Sequence, residues 1–293
     1  ATHERLFMRR LRRHVCVIVD AYSTTRQLAP AFASLGYDTV HVQTLPELSD
    51  EQRDALSRCH YVENIRFSGD VQGLTAYLGR NYPHMKCIVP GAESGVTLAD
   101  RLSEHFGLHS NGTALSLARR DKYAMAQAVA RAGLPVIPCM IASDARKALA
   151  WATELGSWPI VLKPKSSSGT FGFNICNDSQ ELLSSFGRLL RSKDIFREVI
   201  DELLVQPLEL GQEYAVNFVS CHGQHLVSDI WRTDKSRRGQ SKVYERETLV
   251  LQDEPHFTAI TAYVRKVLDA LGIRFGPSHT EVMVTPAGDV LLI

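Results

Sequence analysis

The run Ile160-Val161-Leu162-Lys163-Pro164-Lys165-Ser166-Ser167-Ser168-Gly169-Thr170-Phe171-Gly172-Phe173 constrains this chain more than any other. It reads as a buried strand that ends in a lysine, a loop of small residues, and a second strand from Gly172 to Cys176. Such a loop can lay backbone N–H groups and hydroxyls against phosphate oxygens. The lysine at the strand end adds a point charge for the same phosphates. No Gly-Lys-Ser/Thr opens a helix here, so it is not a Walker loop. No Gly-x-Gly-x-x-Gly sits in a strand-to-helix turn, so it is not a dinucleotide fingerprint. A strand–loop–strand phosphate clamp points to a nucleotide-dependent enzyme. Taken alone, the same residues also describe a polar hairpin loop on a surface.

The flanking sequence supplies a frame for the clamp. Strand-like runs His14–Asp20, Thr39–Gln43 and Lys86–Pro90 alternate with helical patterns at Arg26–Leu35, Val71–Asn81 and Val96–Phe106. This βαβα order predicts a parallel sheet with covering helices. Ligands of such sheets sit at the carboxyl ends of the strands. The loops Ala21–Thr25 and Gly91–Gly95 are therefore candidate site walls. Further on, the pattern predicts a long helix over Ala114–Ala132, a strand over Val136–Ala142, and a helix over Asp144–Leu155, capped by Ser143 or Asp144 and stopped by Gly156. After the clamp come a helix over Ser179–Arg191, capped by Asp178, and strands at Glu202–Leu208, Gln212–Ser220 and His225–Trp231. The polar, basic stretch Trp231–Glu247 reads as a mobile loop. A helix over His256–Leu271 and a hairpin from Ser278 to Ile293 end the chain. The expected fold class is thus α/β and α+β: an N-terminal parallel domain over residues 1–112, a linker helix and small α+β insert over 113–208, and an antiparallel region over 209–293.

Composition narrows the partners. A chain of 293 residues with 44% hydrophobic side chains can bury two or three modest cores. A net charge of +1 gives no reason to expect a nucleic-acid or membrane surface as partner. The basic lead-in Arg9–His14 runs straight into an apolar strand and reads as solvated, with a phosphate-facing arm as the alternative. No apolar run approaches the ~20 residues that span a bilayer, and no signal-peptide pattern is present. The six cysteines are widely spaced, without Cys-x-x-Cys, which fits free thiols in a reducing cytoplasm. The eleven histidines show no metal spacing.

Four features fall in order along the chain: Arg119-Arg120-Asp121-Lys122; Lys163 with the Ser166–Gly172 loop; Val205-Gln206-Pro207-Leu208 followed by Gly211-Gln212-Glu213-Tyr214; and Gly276-Pro277-Ser278-His279-Thr280-Glu281. With these the chain resembles the ATP-grasp superfamily of carboxylate–amine ligases. Within it the nearest resemblance is to the L-amino-acid ligases that make dipeptides. That finer resemblance rests on Gly91–Gly95, Ser110-Asn111-Gly112, Arg120–Lys122, Asp229-Ile230-Trp231-Arg232 and Gly276–Glu281.

The resemblance implies roles residue by residue. Lys122 and Lys163 match the two nucleotide lysines, although Lys122 alone would pass for a solvated helix face. Ser167, Ser168, Gly169 and Phe171 match the loop over the phosphates, with serines where many relatives carry glycines. Gln206, Pro207 and Leu208 match the hinge that meets adenine, largely through backbone groups. A neutral amide at Gln206 can still accept from the adenine amino group. Glu213 matches the ribose acceptor, or is a strand-edge surface carboxylate. Glu281 matches a carboxylate for Mg2+ (Mn2+ is the alternative ion), which wants one or two carboxylates plus phosphate and water oxygens. Arg232 and Lys235 are the candidate catalytic cations, since an arginine suits a carboxylate or acyl phosphate bidentately. Glu93, Trp231, Glu245 and His279 are candidate substrate contacts. For the residues of the Trp231–Glu247 stretch, a solvated charged loop is an equal reading, and His279 equally suits strand packing.

The implied chemistry is ATP-dependent joining of two amino acids, or of an amino acid and an amine, through an acyl phosphate, with ADP and phosphate released. The family's second metal carboxylate and an arginine are expected just after Val290–Ile293, and a C-terminal lid after that. Implied partners are small amino acids and, for the chain itself, a second copy in a homodimer. Two rivals stand beside this reading: an ATP-grasp carboxylase or other metabolic ligase, and an ATP-binding regulator without turnover.

Overall fold

The computed structural model describes residues 14–166, 171–194 and 199–293. The chain divides into two compact units, residues 1–116 and 117–293.

In the first unit, β1 (Val15–Val19), α1 (Leu28–Ser34), β2 (Asp38–Gln43), α2 (Asp50–Ser57), β3 (Glu63–Arg66), α3 (Val71–Asn81), β4 (Met85–Pro90) and α4 (Val96–His105) follow in sequence. The sheet is parallel, in the order β3-β2-β1-β4. Its central strand, Val-Cys-Val-Ile-Val, is buried along its whole length. That is what a strand covered on both faces requires. Val17, Val40, Leu78 and Leu102 meet in the core on one face. Two elements went unread in the sequence: α2 and β3. The signal for α2 was present, because Ser49 and Gln52 close a capping box. β3 is short and alternates half-buried with exposed residues, so it carries little apolar signal.

At the carboxyl end of this sheet the fully buried Asp20 gathers three loops. It adopts a left-handed φ of 62°. It accepts hydrogen bonds from Tyr22 Oη at 2.8 Å, Thr44 N at 2.7 Å, Ser94 Oγ at 2.6 Å and the Thr44 hydroxyl. Gly95 packs so closely there that a Cβ would lie 2.5 Å from the Val19 carbonyl oxygen. Glycine is therefore required at this position.

The second unit holds α5 (Lys122–Arg131), β5 (Met140–Ala142), α6 (Ala145–Leu155), β6 (Ile160–Pro164), β7 (Asn174–Cys176), α7 (Ser179–Leu189), β8 (Leu203–Pro207), β9 (Gln212–Cys221), β10 (Gln224–Arg238), β11 (Ser241–Leu249), α8 (Phe257–Ala270), β12 (Gly276–Val284) and β13 (Val290–Leu292). They make two antiparallel sheets, β5-β8-β6-β7 and β11-β10-β9-β12-β13. The smaller sheet packs Ile160, Leu162 and Val205 against Leu182 and Phe186 of α7 and Ala148 and Ala152 of α6. Helix α8 buries Ile260, Val264 and Val267.

Three expectations are corrected. The long helix over Ala114–Ala132 begins only at Lys122, because Asp121 is its N-cap and accepts from Ala124 N at 2.9 Å. The residues before it are turns. The strand expected over Val136–Ala142 shortens to Met140–Ala142, since Pro138 has no N–H for a ladder. The stretch Trp231–Glu247 is the main body of the β10–β11 hairpin, turned at Gly239 with φ 61°. Its polar composition reflects an edge hairpin stabilised by charge pairs, among them Arg246 with Asp234 at 2.7 Å.

Replacing Asp121 with Ala removes the cap of α5. Urea denaturation is expected to show a loss of about 1–2 kcal/mol, whereas an unchanged midpoint would mean that the helix start is held by packing alone.

Candidate active site

Strand β6 delivers Lys163 to a pocket whose other walls include Lys122, Met125, Ile137, Cys139, Leu204, Gln206 and Leu292. Alternation along the strand puts Ile160 and Leu162 in the core, so Lys163 faces the other way. The first residue of α5 is fastened beside it, since Lys122 N donates to Lys165 O at 2.9 Å. Lys165 itself turns aside and pairs with Glu202 at 2.6 Å. The two lysines of the clamp are thus sorted: one faces the pocket, one is a structural ion pair. Gly172, at φ 70°, lies so near Pro164 that a Cβ would be 2.7 Å from its ring.

Burial, and after it the neighbouring Lys122 charge, push the Lys163 ammonium down to about 8, while Glu281 and Glu213 pull it back. Those carboxylates come from the larger sheet. Glu213 on β9 and Glu281 on β12 share a face, because Met283 pairs with Glu213 and Glu281 with Ala215. Glu213 is buried and accepts from Lys235 Nζ at 2.5 Å and Lys242 Nζ at 2.6 Å. Burial alone would raise its carboxyl, but the two lysines hold it below the ordinary value. Burial likewise opposes the charge of Lys235, and the Glu213 hydrogen bond with the Glu281 charge raises it regardless. Lys235 also sits 4.4 Å over the Tyr244 ring, and Tyr244 Oη donates to Glu281 at 3.4 Å.

The structure therefore brings Lys122, Lys163 and Gln206 to one pocket, and Glu213, Lys235 and Glu281 to one face of the second sheet. Trp231 and His279 lie on that same face, in the rows of Ala215 and Asn217. Arg232 does not. It pairs with Tyr214 on the face opposite Glu213, 3.6 Å from Asp234. A strand's period of two forces this as soon as Trp231 faces the site. Glu245 is the extra residue of a bulge in β11 and is exposed. Leu208 N donates to Pro159 O at 2.8 Å, so adenine contacts from the Gln206–Leu208 stretch would need its other backbone groups. Pro207 ends β8, and Phe171 is exposed near the end of the clamp loop. Glu93 opens a short 3-10 turn after β4 in the first unit. Ser167, Ser168 and Gly169 lie outside the described residues.

Two participants were missed in the sequence, Lys242 and Tyr244. Both come from the stretch read as a loop; the β-branched Val243 next to the aromatic Tyr244 was the available strand signal. Lys242 also lies 5.9 Å from the Phe173 ring centre, beside the clamp.

Among the described residues no group of three or more His, Cys, Asp or Glu could hold a metal by itself. Glu281 beside two ammonium groups fits another arrangement, a hard cation held mostly by phosphate and water oxygens with one protein carboxylate. Among the described residues no helix is long and apolar enough to cross a membrane. All six cysteines are free, as expected.

Lysine-specific NMR of the reductively methylated protein should place the Lys163 midpoint near 8. Glu281→Gln should lower it further by removing an attractive charge, and Lys122→Met should raise it by removing a repulsive one. A Lys163 midpoint in the ordinary lysine range would contradict this charge balance.

A family model described as an ATP-grasp domain matches residues 156–293. Dapdiamide A synthase of Enterobacter agglomerans is 37% identical over 286 residues, covering 96% of this chain and 66% of that protein. The crystal structure of an L-amino acid ligase from Bacillus licheniformis superposes with a TM-score of 0.72 at 16% identity, over 96% of this chain and 66% of that one. The ADP complex of an N5-carboxyaminoimidazole ribonucleotide synthetase gives 0.73 at 15% identity, over 97% and 69%. The chain thus spans about two thirds of the length of the synthase and the ligase.

Proposed function

The chain belongs to the ATP-grasp superfamily, and from that premise we propose that the complete protein is an ADP-forming carboxylate–amine ligase that joins two amino acids. The observation that carries the reading is the meeting of Lys122 and Lys163 with the Glu281 charge. The similarity to dapdiamide A synthase and to an L-amino acid ligase supports the amide-forming side of it. The second unit is read as two ATP-grasp subdomains, residues 113–208 and 209–293, after an N-terminal domain of residues 1–112.

In this reading Lys122 and Lys163 neutralise nucleotide phosphates, with Ser167, Ser168, Gly169 and Phe171 over them. Gln206 to Leu208 meet adenine. Glu213 accepts from the ribose hydroxyls, in competition with its two lysines. Glu281 holds Mg2+, or Mn2+, whose charge offsets that of the phosphate oxygens. One substrate's carboxylate oxygen attacks the γ-phosphorus, and the bond to the bridging oxygen breaks to release ADP. The amine nitrogen of the second substrate then attacks the acyl carbon, phosphate departs and the nitrogen loses a proton. The residues contribute positioning and charge neutralisation, as in phosphoryl transfer generally. Lys235 neutralises the transferred phosphoryl group. Trp231, His279, Glu93 and Glu245 are the proposed substrate contacts. The partners are small amino acids, with neither nucleic acid nor membrane required, and the protein acts in the cytoplasm as a homodimer.

The test is phosphate release from MgATP by the complete protein across pairs of amino acids and bicarbonate. Release that needs two amino acids supports the ligase. Release with bicarbonate in place of one of them moves the reading to a carboxylase, and MgATP binding without release moves it to a regulator. Lys163→Ala and Glu281→Ala should each lower turnover by at least ~100-fold with circular dichroism unchanged. Near-normal turnover in either variant removes the assignment.

A further inference from the structure

Asp229 and Asn217, which the reading above does not use, lie at the centre of the substrate-facing surface of the larger sheet. Asp229, Asn217 and His279 occupy one row across β10, β9 and β12. The next row holds Trp231, Ala215 and Glu281. Asp229 Oδ1 accepts from Asn217 Nδ2 at 2.5 Å and from Trp231 Nε1 at 2.7 Å, and its Oδ2 accepts from Ser228 Oγ. Asn217 Oδ1 and His279 Nδ1 are 2.8 Å apart.

The chemistry of these groups fixes their orientation without reference to hydrogen positions. Burial works against the Asp229 charge, but the hydrogen bonds from Ser228, Asn217 and Trp231 keep the carboxyl below its ordinary range. An ionised carboxylate only accepts. Asn217 must therefore turn its NH2 toward Asp229 and its carbonyl oxygen toward His279. A carbonyl oxygen also only accepts, so His279 Nδ1 must be the donor. In the neutral ring the lone pair is then on Nε2. His279 is exposed, and it shares the strand face of Glu281 two residues on.

We propose that Asp229 and Asn217 are positioning residues that hold His279 in its Nδ1–H form, so that Nε2 accepts a hydrogen bond from an N–H of the amine-supplying amino acid. The same Asp229 carboxylate holds the indole of Trp231, so one anion orients two walls of that subsite. The tautomer claim stands on the hydrogen-bond geometry of the row and on the ionised Asp229 carboxylate; the ligand claim rests on the ligase reading.

Two measurements on the complete protein separate them. Long-range 1H–15N NMR of the histidine rings, in buffer alkaline enough to keep imidazole neutral, reads the tautomer; His279→Gln assigns its signals. The wild type should show the Nδ1–H pattern at His279. Asn217→Leu should lose it. Asp229→Asn should weaken it, because Asn217 is then free to rotate. Steady-state kinetics should show Asn217→Leu raising KM for the amine-supplying amino acid on the order of tenfold, the worth of one hydrogen bond, with KM for ATP unmoved. Nε2–H in the wild type, or an Nδ1–H signal indifferent to both variants, overturns the positioning claim whatever the enzyme does. A tautomer that responds while KM for that amino acid does not overturns the ligand claim. A wild type inert toward every amino-acid pair overturns the ligase reading, and with it the ligand claim, but leaves the tautomer result decisive for the positioning pair.

Discussion

Two ammonium groups near enough to repel each other set the terms for the second unit. Lys122 and Lys163 face one pocket, and the second of them is pushed down to about 8 by burial and by the first. No fold gains stability from that arrangement by itself. It persists because β6 is anchored in an apolar core on its other face and because Lys122 N is tied to Lys165 O. The carboxylates that offset it, Glu281 and Glu213, come from a different sheet. A polyphosphate would relieve the repulsion directly, which gives the site its chemical sense.

The larger sheet answers with two functions on two faces. Val216, Phe218, Ile230 and Val282 lie in its buried interior. On the other face the β10–β11 hairpin carries Lys235 and Lys242 to Glu213 and Tyr244 to Glu281. The tip of this hairpin is also fastened to the smaller sheet. Ile175 N donates to Gln240 O at 2.7 Å, and Arg188 Nη2 donates to Gln240 Oε1 at 3.0 Å. The hairpin thus ties together the two sheets that supply the lysines and the carboxylates.

Much of this was legible in the sequence because local rules and tertiary demands agree. Asp144, Asp178 and Gly156 bound helices where residues of their type should. The clamp strands and the order of Lys163, Gln206, Glu213 and Glu281 carried the family resemblance. The failures share a cause. At Ala114–Ala132 the helical residues continue past a cap whose effect depends on Asp121 reaching Ala124 N. At Trp231–Glu247 the stabilising partners are charges on other strands, invisible to hydrophobic periodicity. Arg232 and Trp231 are adjacent in sequence, so both were read as facing the substrate, but a strand sends neighbours to opposite faces. The Asp229–Asn217–His279 row spans three strands and exists only through their register.

The most direct test of the central claim is positional isotope exchange in ATP labelled with 18O at the β,γ-bridge. The complete protein would be given Mg2+ and one carboxylate-supplying amino acid, without an amine partner. If the two lysines and Glu281 serve to transfer the γ-phosphoryl group reversibly to a carboxylate, the bridging label should scramble into the β-nonbridging positions, and only when that amino acid is present. Ligation of an amino-acid pair without scrambling under conditions where ADP stays bound and can rotate would contradict the account, as would scrambling that ignores the amino acid.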